Sequence, residues 1–173
     1  GKRRIVEFDG DGKFIRVFGE AGKESLQLWE PIDVAPLPDG RAWVVDKTEK
    51  KLVQFDQTGR AVKAISIEEA PLSVTVTTDN LFVTTESGVL IADLDGNLLT
   101  GYIKRGKEAG SFDRPGGVAV GEDGTMYVAD SLNYRVQAIS TTGKPLWQYG
   151  EPIPSDKAVQ YDSTKRKFGL PSN

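Results

Sequence analysis

Residues 115–130 read PGGVAVGEDGTMYVAD, in which two short apolar runs flank an Asp-Gly pair. The first run covers residues 116–120 and the second covers residues 126–129. An Asp-Gly pair between two such runs is a strong local signal for a β-hairpin, because glycine readily adopts the positive φ that a tight turn needs. The stretch therefore predicts two antiparallel strands joined at Asp123 and Gly124.

The same pattern occurs three times along the chain. Each copy begins at a proline, has an aspartate eight residues later, and has an acidic residue fifteen residues later. These positions are Pro31, Asp39 and Asp46 in the first copy, Pro71, Asp79 and Glu86 in the second, and Pro115, Asp123 and Asp130 in the third. The three prolines are spaced by 40 and 44 residues. A period of this length indicates a repeat architecture with one supersecondary unit per repeat.

Two further apolar runs follow each hairpin, and a turn that contains glycine joins them. Each repeat thus predicts four short antiparallel strands in a meander, which is the blade of a β-propeller. We expect an all-β chain that forms a single, incomplete propeller domain over residues 1–173. Its predicted parts are a half-blade at 1–22, blades at 30–67, 70–103 and 114–150, and a connection with the start of a further blade at 151–173.

One repeat carries a family pattern. Residues 112–120 read FDRPGGVAV, and they are followed by Asp123-Gly124, by YVAD at 127–130, by Asn133 and by Arg135. This pattern resembles the NHL repeat, which the first copy matches less closely and the second only in outline. The resemblance implies an NHL-type β-propeller, part of a six-bladed ring, that serves mainly as a binding scaffold. The chain is then a fragment of a longer protein, a copy that completes a ring with others, or an open arc.

The composition excludes several kinds of site. The chain has no cysteine and no histidine, which excludes disulfides, thiolate or imidazole zinc sites and a Ser-His-Asp triad. The net charge of −3 argues against a general nucleic-acid binder, which is usually strongly basic. No apolar run is long enough to span a membrane. We expect no cofactor, no metal ligands and no catalytic residues in this chain.

Charged residues recur where the second and third strands of a repeat meet. Asp130 ends a second strand and Arg135 opens the third, so the turn between them predicts a salt bridge. Asp46 and Lys51 occupy the same positions in the first repeat. That pair is predicted to be weaker, because lysine cannot bind a carboxylate through two parallel hydrogen bonds as arginine does. Since these residues recur, we expect them to be structural.

Each propeller blade presents loops on two faces. In a four-stranded meander, the turn between strands two and three and the link to the next blade lie on one face, here called the connection face. The two remaining turns lie on the opposite, hairpin face. Long loops on a rigid scaffold commonly carry binding residues, and the longest segment here, 151–167, belongs to the connection face. The candidate binding residues are Trp29, Arg105, Arg114, Asn133, Tyr134 and Tyr161.

Three functions are compatible with these features. The first is a non-enzymatic scaffold that binds a protein or peptide partner through the connection face. The second is a propeller lyase or hydrolase with a central calcium-type site, for which Asp33, Ser73 and Thr75 are the available oxygen ligands. The third is binding of single-stranded RNA, which needs a basic face with stacking aromatic side chains. We also expect self-association through the open edges of the half-blade and of the last blade.

Overall fold

The computed structural model describes residues 3–150 and shows a series of small antiparallel sheets. The half-blade consists of β1 (Ile5–Phe8) and β2 (Phe14–Phe18). Blade 1 consists of β3 (Pro31–Pro36), β4 (Ala42–Asp46), β5 (Lys51–Phe55) and β6 (Ala61–Ser66). Blade 2 consists of β7 (Pro71–Val76), β8 (Asn80–Thr85), β9 (Gly88–Asp93) and β10 (Leu98–Ile103). Blade 3 consists of β11 (Pro115–Val120), β12 (Met126–Asp130), β13 (Arg135–Ile139) and β14 (Pro145–Tyr149), with a 3₁₀ helix at Ser131–Asn133.

In every sheet the neighbouring strands are consecutive along the chain and antiparallel. The prediction of an all-β chain built from four-stranded meander blades is therefore confirmed. Within the range that the structure describes, no helix has the length and apolar character that crossing a bilayer requires.

Consecutive sheets pack face to face with one apolar core between each pair. Phe55 is buried in the core between the half-blade and blade 1, and Trp43 in the core between blades 1 and 2. Phe82 and Met126 are buried between blades 2 and 3. Because side chains alternate between the two faces of a strand, blades 1 and 2 each contribute to the core before them and to the core after them. This stacking is the arrangement of consecutive propeller blades.

The turn between the third and fourth strands is the same in all four sheets. The side-chain oxygen of its first residue accepts the main-chain NH groups two and four residues later. The fourth residue is a glycine with φ near +80°. The first residues are Asp9, Asp56, Asp93 and Ser140, and the glycines are Gly12, Gly59, Gly96 and Gly143. Many acids of the hairpin face are therefore turn-forming residues, as their positions predict.

These hydrogen bonds also favour the charged form of the turn aspartates. The hydroxyl of Thr58 and the main-chain NH of Arg60 hold the pKa of Asp56 below its ordinary value. The side chain and main-chain NH of Asn97 lower the pKa of Asp93 in the same way. The turns therefore place ionised carboxylates on the hairpin face.

Blade 2 differs from its neighbours in its first turn. The main-chain NH of Thr77 donates to the carbonyl of Asn80, which closes a loop of two residues. The corresponding loops of blades 1 and 3 contain three residues each. Consequently Pro71 pairs with Thr85, whereas the spacing predicted that Glu86 would take the position of Asp46 and Asp130. That prediction is wrong by one residue because the turn is one residue shorter.

Candidate functional site

The carboxylate of Asp130 is the centre of a buried hydrogen-bond network on the connection side of blade 3. Its Oδ1 accepts the main-chain NH of Asp113 at 2.8 Å. Its Oδ2 accepts from Asn133 Nδ2 at 2.9 Å, from Arg135 Nε at 2.9 Å and from Gln137 Nε2 at 3.1 Å. Asp130 is fully buried and Arg135 nearly so. The carboxylate thus joins the link that enters the blade to the turn between β12 and β13.

Arg135 extends this network to both sides. Its Nη2 donates to the main-chain carbonyls of Glu108 and Ser111, each at 2.9 Å. Its Nη1 donates to Gln148 Oε1 on β14 at 2.8 Å. Four of the five N–H donors of this buried guanidinium are engaged by its own blade and the entering link, so its role is to hold the loops in place.

In blade 1 the expected salt bridge between Asp46 and Lys51 does not form. Asp46 instead accepts the main-chain NH groups of Trp29 and Glu30, at 2.6 Å and 3.0 Å. Lys51 Nζ donates to the main-chain carbonyl of Glu24 at 2.7 Å. The lysine side chain has a single charged group, which lies at the preceding link and not at the carboxylate. The arginine of blade 3 has several donors, and it bonds both the carboxylate and the preceding link.

In blade 2 the carboxylate that fastens the entering link lies on the link itself and not on the second strand. Glu69 lies on the link, and its carboxylate accepts from Thr85 Oγ1 at 2.7 Å, from the Ser87 main-chain NH at 3.0 Å and from Ser87 Oγ at 2.6 Å. Burial raises the pKa of Glu69, but the hydrogen bonds from Ser87 and Thr85 outweigh burial, and the pKa lies below its ordinary value. All three blades therefore use a carboxylate to tie the entering link to the second strand.

The turn Ser131–Tyr134 projects apolar side chains from this fixed base. Asn133 is buried, and its Nδ2 also donates to the carbonyl of Gly106 at 2.8 Å. On either side of it, Leu132 is 47% exposed and Tyr134 is 56% exposed. Tyr134 has a φ of +57°, a conformation that is uncommon for residues other than glycine. The turn therefore holds Leu132 and Tyr134 outward in a defined geometry.

Basic side chains lie on the link that runs past this turn. Arg105 is exposed and its Nη2 lies 3.1 Å from Asp113 Oδ1, an exposed ion pair of small energetic weight. Arg114 is also exposed, and its backbone has a φ of +50° directly before a proline. The main-chain NH of Arg114 donates to the carbonyl of Glu86 in blade 2 at 2.8 Å, which anchors it between two blades.

The comparisons with known proteins agree with this geometry. The family model of the NHL repeat matches residues 112–139, which span the Asp130 network from the entering link to the end of β13. The chain contains an NHL repeat. A comparison with curated proteins found no match.

Solved structures similar to this chain include two enzymes with a propeller fold. They are virginiamycin B lyase from Staphylococcus aureus, in selenomethionine-substituted form, and streptogramin B lyase. The first is 15% identical with a TM-score of 0.67, over 88% of this chain and 50% of the other. The second is 18% identical with a TM-score of 0.69, over 89% and 50%. Hydrazine synthase of Kuenenia stuttgartiensis is 20% identical with a TM-score of 0.58, over 71% and 38%.

These likenesses show the propeller fold alone, because the identities are low. The chain spans about half the length of the two lyases that it matches. Its NHL repeat, blade 3, is the last of the described sheets.

The predicted site residues fall into three groups relative to the NHL repeat. Arg105, Arg114 and Tyr134 lie exposed around its connection loops. Asn133 was predicted to bind a partner, but the structure buries it, and it acts as part of the Asp130 network. Tyr161 lies outside the described residues. Leu132 was missed, although its position between two polar residues in a turn is a signal for an exposed apolar side chain.

Trp29 lies apart from this group, on the link that enters blade 1. Its ring is half-buried, and the guanidinium carbon of Arg3 lies 3.4 Å from the ring centroid. Lys23 Nζ lies 4.6 Å from the same centroid. The ring is therefore covered by cations of its own chain.

The oxygen atoms predicted near the axis make structural hydrogen bonds. Asp33 Oδ2 accepts the main-chain NH of Val74 at 2.9 Å, and Thr75 Oγ1 donates to the carbonyl of Val118 at 2.8 Å. These contacts join the first strands of successive blades. Among residues 3–150, no group of three or more acidic side chains is placed to hold a metal ion.

The hairpin face has a cleft of about 640 Å³ between blades 2 and 3. Between blades 1 and 2 the corresponding space is filled by Trp43 and Arg41, whose equivalents in blade 2, Phe82 and Asn80, are shorter. The polar side chains of the cleft include Thr77, Thr78, Asp79, Asn80, Glu122 and Thr141. The cleft thus lies on the face opposite to the predicted site.

Proposed function

We propose that this chain is a non-enzymatic NHL-type propeller scaffold, and that it binds a protein or peptide partner through the connection face of blade 3. The observation that carries the proposal is the turn at 131–134, which presents Leu132 and Tyr134 to solvent while its central residue is buried. Tyrosine is among the side chains that most often anchor a protein interface, and Leu132 adds apolar surface beside it.

The rigidity of the turn favours binding. Asn133 and the Asp130 network fix the backbone from which the two anchors project. A partner that docks there does not have to order a mobile loop, and the entropic cost of association is lower.

The charge beside the anchors indicates the chemistry of the partner. Lys104, Arg105, Lys107 and Arg114 are exposed on the entering link. Complementary charges steer association and fix the register of a partner. We therefore propose that the partner segment combines apolar side chains with carboxylates.

The two alternatives have less support in the described residues. The fold likeness to lyases carries no activity at these identities, and the oxygen atoms of Asp33 and Thr75 are engaged between strands. Single-stranded RNA binding usually relies on a strongly basic surface with several stacking aromatic rings. The chain has a net charge of −3, and the ring of Trp29 is covered by the cations of Arg3 and Lys23.

The proposal is tested with a random peptide library displayed on phage and selected against the immobilised 173-residue chain. Selected peptides are synthesised with a fluorophore, and Kd is measured by fluorescence polarisation. For Tyr134→Ala and for Leu132→Ala we expect Kd to rise about tenfold or more, as for central anchors of an interface. The control Glu122→Ala alters the cleft on the hairpin face and should leave Kd unchanged.

Two results would overturn the proposal. One is a set of peptides whose Kd responds to Glu122→Ala and not to the anchor variants, which would place binding in the hairpin-face cleft. The other is recovery of RNA oligonucleotides, but not peptides, when a random RNA pool is selected in parallel.

A further inference from the structure

Each described boundary between sheets repeats one contact. A side chain on the last strand of a sheet covers the turn glycine of the next sheet, so closely that a β-carbon built on that glycine would meet the side chain at 3.0 Å or less. The three pairs are Phe18 on Gly59, Ile65 on Gly96 and Tyr102 on Gly143. In the third pair, Tyr102 Oη also donates to the carbonyl of Thr141 at 2.7 Å.

The strand register identifies a fourth side chain of this type. Phe18, Ile65 and Tyr102 pair with the first or second residue of the preceding strand, and Tyr149 pairs with Val136 in the same way. Within the described residues Tyr149 has no following sheet to cover, and it is 81% exposed. Among the described residues, its ring therefore has no turn glycine to cover, although the corresponding side chains at the other boundaries each cover one.

The half-blade contains a turn glycine that no side chain of residues 3–150 covers. Gly12 is the turn glycine of the half-blade, with a φ of +79°, and a β-carbon built there would meet no atom of residues 3–150 within 4 Å. Gly10, which corresponds to Thr141, is equally open. The half-blade thus presents an uncovered turn of the kind that Tyr102 covers in blade 3.

The surfaces around these two positions are apolar. We call the outer side of the half-blade the leading face and the outer side of blade 3 the trailing face. The leading face exposes Val6, Phe8, Ile15 and Val17, and the trailing face exposes Tyr127, Val136, Trp147 and Tyr149. On the trailing face the Tyr127 and Trp147 rings lie 5.9 Å apart. At internal boundaries, faces of this composition are buried against each other.

We propose that copies of this chain associate head to tail, with the trailing face of one copy on the leading face of the next. Tyr149 of one copy covers Gly12 of the second, and its hydroxyl donates to the main-chain carbonyl of Gly10. The contact continues the internal boundaries with the same register, and it joins faces rather than strand edges.

A contact between different faces of identical chains closes into a ring only when the rotation per copy divides a full turn, and otherwise it continues from copy to copy. The contact between the two faces is the same in both cases.

The first experiment is molar mass by light scattering on the 173-residue chain. We expect at least twice the chain mass of 18.9 kDa for the unaltered protein, and the mass of one chain for Tyr149→Lys with an unchanged circular dichroism spectrum. The control Leu98→Lys introduces the same charge at an exposed position on an internal blade and should keep the mass of the unaltered protein. A mass of one chain for the unaltered protein at millimolar concentration would overturn the proposal.

The orientation is tested by cross-linking, which the absence of native cysteines makes clean. Gly10→Cys marks the leading face and Val136→Cys marks the trailing face. A short bismaleimide should join the two variants when they are mixed and should leave each variant alone largely uncoupled. Efficient coupling of Val136→Cys with itself would mean that trailing faces pair symmetrically, and the head-to-tail contact would be wrong.

Discussion

Removal of the Arg135 guanidinium should weaken the fold more than removal of its counterpart in blade 1. Arg135→Met deletes a buried charge whose Nε donates to Asp130 at 2.9 Å and whose Nη2 donates to two main-chain carbonyls. Breaking a buried, hydrogen-bonded ion pair by removing one partner costs about 3–5 kcal/mol. We expect the free energy of unfolding to fall by about that amount.

Lys51→Met is the matched control, because Lys51 occupies the same register position in blade 1. Lys51 Nζ donates one hydrogen bond, to the carbonyl of Glu24, and forms no ion pair with a carboxylate among residues 3–150. The loss of a single hydrogen bond from a charged donor costs about 1.5–3 kcal/mol. The sequence predicts two salt bridges of unequal strength, whereas the structure predicts an ion-pair contribution for Arg135 and a single hydrogen bond for Lys51.

The assay is urea unfolding followed by circular dichroism, with hydrogen exchange as a local readout. In Arg135→Met, the amides of Ser111 and Phe112 should lose protection before those of blade 1, since the guanidinium holds their link. Equal losses of stability for the two variants would refute this reasoning, because they would show that the buried ion pair adds nothing beyond one hydrogen bond.

Two further predictions concern turns and acid sensitivity. Gly143→Ala should cost more stability than Gly40→Ala in thermal unfolding. Both glycines have a φ near +80°, but only a β-carbon at position 143 would collide with the Tyr102 ring. Equal melting temperatures would contradict the packing argument. Glu69, whose folded pKa is lowered, should contribute stability above its ordinary pKa of about 4.5 and lose it as pH falls through the folded value. Unfolding of Ser87→Ala should accordingly depend less on pH over this range.

The meander and its period could be predicted from the sequence because both follow from local chemistry. The turn residues determine where each strand ends, and the alternation of apolar residues shows that each strand faces two cores. The network around Asp130 could be predicted in part, since Arg135 lies five residues away across one turn. These inferences need no knowledge of which blade contacts which.

The remaining features depend on distances that the sequence does not contain. A loop shorter by one residue moves the register position from Glu86 to Thr85, and the required carboxylate then comes from Glu69 on the link. The position of Lys51 Nζ depends on where the preceding link passes, which is a tertiary property. The burial of Asn133 similarly results from the approach of Gly106.

In the 131–134 turn, one residue holds the blade together and its neighbours face the solvent, so the repeat motif and the proposed binding chemistry are separable. Asn133 points inward and bonds Asp130, so its identity is constrained by the fold. The exposed side chains of Leu132 and Tyr134 take no part in the hydrogen bonds around Asp130, so their replacement should leave the network intact. A repeat of this kind can therefore keep its frame while the exposed positions of each blade differ, and under the proposed function those exposed positions select the partner.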